Sequence, residues 1–103
     1  MIRAFKRPQF LLDLAEELTW LNERAGPGVA ERWYQAVLAT IEDLKRHPHL
    51  GRERLDLKPK GIRSWRVNRF PRWLLFYTLR EDGLALLRVR YGAMNLVVLK
   101  MES

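Results

Sequence analysis

The stretch Trp73-Leu74-Leu75-Phe76-Tyr77-Thr78-Leu79 decides the fold. It is apolar on both faces and rich in aromatic residues, as a central β-strand covered on both sides would be. Glu81-Asp82-Gly83 follows it, and Asp-Gly readily supplies the positive backbone dihedrals of a tight hairpin turn. The run from Leu84 to Tyr91 then predicts the partner strand, with apolar residues on one face and with Arg88 and Arg90 on the other, mixed face.

Two further strands are predicted before this hairpin. Residues 63–68 alternate with a period of two, which places Arg63, Trp65 and Val67 on one side and Ser64, Arg66 and Asn68 on the other. Phe70-Pro71-Arg72 predicts the turn into the central strand. At the start of the chain, Ile2-Arg3-Ala4-Phe5 alternates well enough to predict a short strand.

Residues 8–47 have the period of two amphipathic helices. Pro8 suits a first helical turn, and a stripe of apolar residues follows at spacings of three and four: Leu11, Leu14, Ala15, Leu18 and Leu21. Gly26-Pro27-Gly28 breaks the pattern, and a second stripe runs from Val29 through Trp33 to Leu44 before Pro48 ends it. A break this short predicts a helical hairpin.

Together these elements predict one α+β domain over residues 1–103. An N-terminal strand precedes a two-helix hairpin, which packs on one face of a small antiparallel sheet of three to four strands. The opposite face is expected to be concave, to be lined by arginine and to bind a ligand. Residues 95–103 are apolar and fit either an extension of the last strand or a helical turn.

Charge is unevenly distributed along the 103 residues. The formal net charge is +7, and all of this excess lies in residues 52–103, which hold twelve basic and five acidic side chains. No acidic residue occurs from Leu57 to Arg80. Such a stretch attracts phosphate or an acidic protein partner, so direct contact with nucleic acid is one expected interaction.

Several classes of function are excluded or disfavoured. The chain has no cysteine, so it holds neither disulfides nor thiolate metal sites, and His47 and His49 flank Pro48 in a loop without further ligands. We therefore expect no metal and no cofactor. No segment approaches the length of a membrane span, and we expect a cytoplasmic protein that does not bind membranes.

The residues leave one kind of catalysis open, which is metal-free cleavage of RNA. Arginine can stabilise a pentacovalent phosphorane, and Tyr77 or Tyr91 can in principle transfer a proton. For such an endoribonuclease the candidate catalytic residues are Arg63, Arg66, Arg88, Arg90 and Tyr91. On an unbroken strand, arginines that are three residues apart lie on opposite faces. At most some of the arginines in this region can therefore converge on one site.

The order and spacing of several motifs resemble the RelE/ParE superfamily of bacterial type II toxins, and more closely its ParE branch. The motifs are Asp13-Leu14, the segment from Leu44 to Arg52, Gly61 to Val67, Trp73 to Tyr77, and Leu87 to Ala93. The ParE-like pattern commonly closes with His-Gly-x-Arg-Asp, whereas this chain has Tyr91, Met94 and Asn95 at the His, Arg and Asp positions.

The resemblance implies a plasmid-stabilisation toxin that a cognate antitoxin neutralises. ParE-like members are taken to inhibit DNA gyrase, whereas RelE-like members cleave mRNA on the ribosome, and a non-toxic remnant that only binds antitoxin is a third alternative. We expect target contacts at Arg63, Arg66, Arg88, Arg90 and Tyr91. For the antitoxin we expect contacts at Trp20, Trp73, Leu96, Val97, Val98 and Leu99, because an exposed apolar patch usually marks a partner site.

Overall fold

Five strands and two helices make up the part of the chain that the computed structural model describes, residues 2–92 and 101. The prediction of two helices between a first strand and the remaining sheet is confirmed. None of the helices in this part is long and apolar enough to cross a membrane. In chain order the elements are β1 (Arg3–Lys6), α1 (Pro8–Ala25), α2 (Pro27–Arg46), β2 (Arg52–Glu53), β3 (Ile62–Val67), β4 (Phe70–Arg80) and β5 (Gly83–Tyr91).

The strands form one mixed sheet in the order β1-β5-β4-β3-β2. All neighbouring pairs are antiparallel except β1 and β5, which are parallel, with Arg3–Lys6 opposite Gly83–Leu86. The α+β fold class is confirmed, whereas a purely antiparallel sheet of three to four strands was wrong. The helical hairpin follows β1 and carries the chain across to β2 at the opposite edge of the sheet. β2 has only two residues and is too short for alternation to reveal.

Gly83 lets β1 approach the sheet. The hairpin turn itself is Glu81-Asp82, and Gly83 already belongs to β5 with a φ of +149°. A Cβ atom at this position would collide with the carbonyl oxygen of Arg3. The sequence therefore predicted the hairpin correctly, but the glycine also serves the contact between β1 and β5.

The turn between β3 and β4 lies at Asn68-Arg69, so the predicted turn at Phe70-Pro71-Arg72 was wrong. The backbone N–H of Asn68 donates to Thr40 Oγ1 at 2.8 Å, and its Nδ2 donates to Asp43 Oδ2 at 2.9 Å. These two bonds fix the turn on α2. Pro71 is tolerated because it lies in the first residues of β4.

Only Gly26 separates the two helices, since α2 begins at Pro27. The buried face of α1 also differs from the predicted stripe. It consists of Phe10, Asp13, Leu14, Glu17 and Leu21. Leu11 and Ala15, which the apolar spacing placed in the core, are exposed.

The hairpin covers one face of the sheet, as predicted. Trp33, Val37 and Leu44 of α2 are fully buried there against Leu75 and Tyr77 of β4. Trp65 and Val67 of β3 belong to the same cluster. The central strand β4 therefore lies beneath the helices along much of its length.

The opposite face of the sheet is apolar, which contradicts the expected arginine-lined surface. It carries a second cluster without any helix residue: Leu57, Ile62, Phe76, Ala85, Leu87 and Met101. The guanidinium of Arg54, paired with Asp56, lies 5.8 Å from the centre of the Phe76 ring. The loop after β2 and Met101 thus cover much of the face that was expected to bind a ligand.

Candidate functional site

Asp13 of α1 binds the edge of β5 where β1 ends. β1 pairs only as far as Leu86, and the backbone N–H of Arg7 continues the edge by donating to the carbonyl of Leu86 at 3.1 Å. Beyond this point the N–H of Val89 donates to Asp13 Oδ2 at 3.2 Å. A side chain of α1 therefore satisfies a strand edge that would otherwise lack a partner.

Arg88 makes a two-point ion pair with the same carboxylate. Its Nε donates to Asp13 Oδ2 at 2.6 Å and its Nη2 to Asp13 Oδ1 at 2.9 Å. The side chain of Arg88 is 8% exposed and that of Asp13 is fully buried. Arg88 is thus held by α1 and does not present its charge to a target.

Arg90 is the second cation of this cluster. Its Nη1 donates to Glu16 Oε2 at 2.8 Å and to Asp13 Oδ1 at 3.4 Å, and the side chain is 15% exposed. Burial lowers the pKa of Arg90, but the Glu16 hydrogen bond and the charges of Asp13 and Glu17 outweigh burial and raise it. The guanidinium therefore stays charged and fixed in position.

Trp73 of β4 connects this cluster to the aromatic residues. Its Nε1 donates to Glu17 Oε1 at 2.9 Å, and its ring makes edge contacts with Trp20, Trp33, Phe70 and Tyr91. Burial raises the pKa of Glu17, although the Trp73 hydrogen bond and the Arg90 charge oppose this shift. Trp73 is only 9% exposed, so it supports this region from within the protein.

An open cavity of about 360 Å³ lies between α1 and the end of β5, lined by Glu17, Trp20, Trp73, Arg90 and Tyr91. Two predicted sets of residues meet here, because Trp20 and Trp73 were expected to bind antitoxin, and Arg90 and Tyr91 to bind a target. Trp20 is 43% exposed, and its ring centre lies 6.4 Å from that of Trp73. The cavity combines apolar walls with one acidic and one basic group, which suits binding of an amphipathic segment.

Tyr91 also lines a second open cleft, with Pro71, Arg72, Leu74 and Gly92. Its ring centre is 5.0 Å from that of Trp73, and its hydroxyl accepts a hydrogen bond from Arg72 Nη1 at 3.3 Å. Tyr91 therefore lies between the two clefts.

Arg63 lies away from the cavity and supports the loop after α2. Its Nη1 donates to the carbonyl of Gly51 at 2.6 Å. Tyr77 supports the same loop, since its hydroxyl donates to the carbonyl of Pro48 at 2.7 Å and accepts from the N–H of Gly51 at 2.9 Å. Tyr77 is fully buried, and burial raises the pKa of its hydroxyl, so it is not placed to transfer a proton to a substrate.

Arg66 is exposed at the far end of β3, where its guanidinium lies 4.4 Å from the centre of the Trp65 ring. The five residues expected at a target or catalytic site therefore do not converge on one surface. Only Arg90 and Tyr91 line a common cavity. Leu96 to Leu99, with Met94 and Asn95, lie outside the described residues.

Sequence reasoning overlooked three acidic residues of α1. Asp13, Glu16 and Glu17 lie outside the apolar stripe that the spacing predicts for the core, yet Asp13 is 0% and Glu17 8% exposed. Their spacing at i, i+3 and i+4 places them on one helix face, opposite a strand with arginines at alternate positions. That pairing of opposite charges was the available signal. Among residues 2–92 and 101, no three His, Asp or Glu side chains are grouped to hold a metal ion.

Comparison with known proteins gives a consistent family. A family model described as ParE toxin of type II toxin-antitoxin system, parDE, matches residues 6–96. Toxin ParE3 of Caulobacter vibrioides is 34% identical over 74 residues, which are 72% of this chain and 70% of that protein. A solved structure titled Chromosomal ParDE TA system from P. aeruginosa superposes with a TM-score of 0.73 at 16% identity, covering 88% of this chain and 96% of that one. The last likeness shows a shared fold.

Proposed function

Since this chain belongs to the ParE toxin family of type II toxin–antitoxin systems, we propose that it inhibits DNA gyrase in the cytoplasm and that a cognate antitoxin neutralises it. In this proposal the chain is a binding protein that blocks its target without hydrolytic chemistry of its own. The observation that carries the proposal is the cavity between α1 and the end of β5, with the exposed Trp20 at its wall.

This cavity has the properties of a preformed protein-binding site. Arg90 and Glu17, its charged groups, are already fixed by hydrogen bonds to Glu16 and Trp73. Little conformational freedom is then lost when a partner binds. Exposed aromatic residues such as Trp20 commonly supply most of the energy of a protein interface.

The arrangement of the arginines supports binding over metal-free RNA cleavage. Stabilising a phosphorane requires several cations directed at one phosphate. Here Asp13 and Glu16 pair with Arg88 and Arg90, and Arg63 holds a backbone carbonyl. Three of the four arginines predicted for a nuclease are thus engaged within the fold, and the fourth, Arg66, lies apart from them at the far end of β3.

For the antitoxin we propose the exposed face of α1. Leu11 is 48%, Leu12 58% and Trp20 43% exposed, which is unusual for large apolar side chains on one helix. Leu12 and Trp20 lie about 80° apart around the helix axis and share its exposed side, whereas Leu11 lies about 180° from Trp20. An antitoxin bound here covers the mouth of the cavity and so blocks the target. Leu96 to Leu99 remain proposed antitoxin contacts.

Two assays of the purified full-length chain test the target. Gyrase supercoiling of relaxed plasmid should be inhibited, and mRNA on translating ribosomes should stay intact. Tyr91→Ala should weaken the inhibition, whereas Leu55→Ala, at a side chain that is 87% exposed on the loop after β2, should not.

Other results would point to the alternatives. Site-specific mRNA cleavage without an effect on supercoiling would identify an endoribonuclease. Normal growth on expression without antitoxin, together with unaffected gyrase, would identify a remnant that only binds antitoxin. Either result contradicts the proposed function.

A further inference from the structure

The end of the β3–β4 hairpin displays three arginines, Arg66, Arg69 and Arg72. All three are exposed, and none of them forms an ion pair within residues 2–92. No acidic residue occurs in the surrounding sequence from Leu57 to Arg80. We refer to these three side chains as the hairpin cations. Their charge is not neutralised locally, unlike that of Arg88 and Arg90.

The backbone of this hairpin end is rigid and strained. Asn68 is fixed on α2 by its two hydrogen bonds to Thr40 and Asp43. Arg69 follows it with a φ of 65°, in the left-handed region that favours glycine or asparagine. Strain of this kind persists only where the surrounding structure imposes it, and it is concentrated at functional sites. Here it presents an arginine at the tip of a fixed turn.

The two flanking hairpin cations are also held in position. The Arg66 guanidinium stacks 4.4 Å from the Trp65 ring centre, and Arg72 Nη1 donates to the Tyr91 hydroxyl at 3.3 Å. Side chains fixed in this way lose less conformational freedom on binding an anion. Guanidinium groups match the geometry of phosphate oxygens and form charge-assisted hydrogen bonds with them.

We propose that the hairpin cations bind the phosphate backbone of duplex DNA. A protein interface has an apolar centre depleted of charge, whereas DNA interfaces are far more positively charged, and this hairpin end is mainly cationic. Single-stranded binding needs open aromatic faces, but Arg66 covers Trp65 and Trp73 is buried. This contact goes beyond inhibition of gyrase and does not require it.

Fluorescence anisotropy with a labelled 20-base-pair duplex of arbitrary sequence tests this proposal on the full-length chain. Three phosphate contacts predict a slope of about −2.7 in a plot of log affinity against log salt concentration. Affinity should therefore fall about 40-fold between 50 and 200 mM salt. The triple variant Arg66→Gln, Arg69→Gln, Arg72→Gln should lose most of this salt-dependent binding.

A matched control variant replaces three exposed cations at the other end of the sheet, Arg3, Lys60 and Arg80. Arg3 and Arg80 lie at that end because both pair with Gly83, the first residue of β5. Replacing these three by glutamine lowers the net charge equally and should leave most DNA binding intact. Three results would overturn the proposal. Both variants lose equal amounts of DNA affinity, the parent chain does not bind DNA, or it binds single-stranded RNA of equal length more tightly. Supercoiling assays on the same variants separate the two questions, since DNA binding without gyrase inhibition refutes only the proposed target.

Discussion

Arg88 and Asp13, which lie 75 residues apart in the sequence, form a two-point ion pair that joins β5 to α1. The same carboxylate accepts hydrogen bonds from the Val89 backbone N–H and from Arg90. These donors compensate the negative charge of the fully buried Asp13 carboxylate. Each donor in turn relies on this carboxylate as its acceptor. Removing the carboxylate would leave the buried Arg88 guanidinium and the buried Val89 N–H without their partner.

We expect Asp13→Ala to lower the free energy of unfolding by about 3–5 kcal/mol, because breaking a buried ion pair strands the remaining charge. Urea unfolding measures this loss. Glu16→Ala is the matched control, since the Glu16 side chain is 64% exposed and its pair with Arg90 should contribute less than about 1 kcal/mol. Equal losses for both variants would show that the buried pair does not determine stability.

The same pair explains why hydrophobic spacing predicted the right helix but only part of its buried face. Hydrophobic spacing places Leu11 and Ala15 in the core, because it treats every carboxylate as solvent-exposed. Asp13 and Glu17 instead occupy the buried face, where Arg88 and Trp73 satisfy their oxygens. A local pattern cannot reveal this, since the partners come from strands at the other end of the chain.

In the sheet, too, some features could be predicted from neighbouring residues, whereas others depend on contacts between residues far apart in the sequence. The β4–β5 hairpin followed from its own residues, as did the helical hairpin. The parallel pairing of β1 with β5 joins segments from opposite ends of the chain, which a local pattern does not reveal. The far face was expected to bind a ligand through its arginines, but Arg88 and Arg90 reach α1, and Leu57 and Met101 cover apolar surface there.

Glu17 should make stability depend on pH. Its pKa is raised above the ordinary value of 4.5, so the stabilisation by the protonated form is complete below about pH 4.5 and is lost as the pH rises through the folded-state pKa. Glu17→Gln keeps an acceptor for Trp73 Nε1 without the charge. Its stability relative to the parent chain should therefore increase from pH 4.5 to pH 7.5 in urea titrations.

Glu23→Gln, at an exposed carboxylate of the same helix, controls for the loss of one negative charge. The stability difference between Glu17→Gln and the parent chain could instead stay constant or decrease with rising pH. That result would contradict burial as the cause of the raised pKa of Glu17.

Trp20→Ala should weaken antitoxin binding much more than it weakens the fold. Trp20 is 43% exposed and contacts Trp73 only edge to face, so about 1 kcal/mol of stability should be lost. As an aromatic anchor it should contribute about 2 kcal/mol or more to binding, which corresponds to about a 30-fold increase in Kd. Calorimetric titration with the cognate antitoxin measures the change. Leu55→Ala is the control, and an equal effect of both variants would place the antitoxin elsewhere.

Arg69→Gly should separate stability from DNA binding. Glycine relieves a left-handed conformation that costs a residue with a Cβ atom roughly 1–2 kcal/mol, and it loses about 0.5–1 kcal/mol through its greater freedom in the unfolded chain. We therefore expect the free energy of unfolding to rise by about 0.5–1 kcal/mol. The slope of log affinity against log salt concentration should become less steep by about 0.9, because one phosphate contact is lost. Arg80→Gly is the control, since β4 has ordinary strand geometry there, and it should lower stability without changing the slope. A less stable Arg69→Gly variant with unchanged DNA binding would show that the strained turn at Arg69 serves neither role.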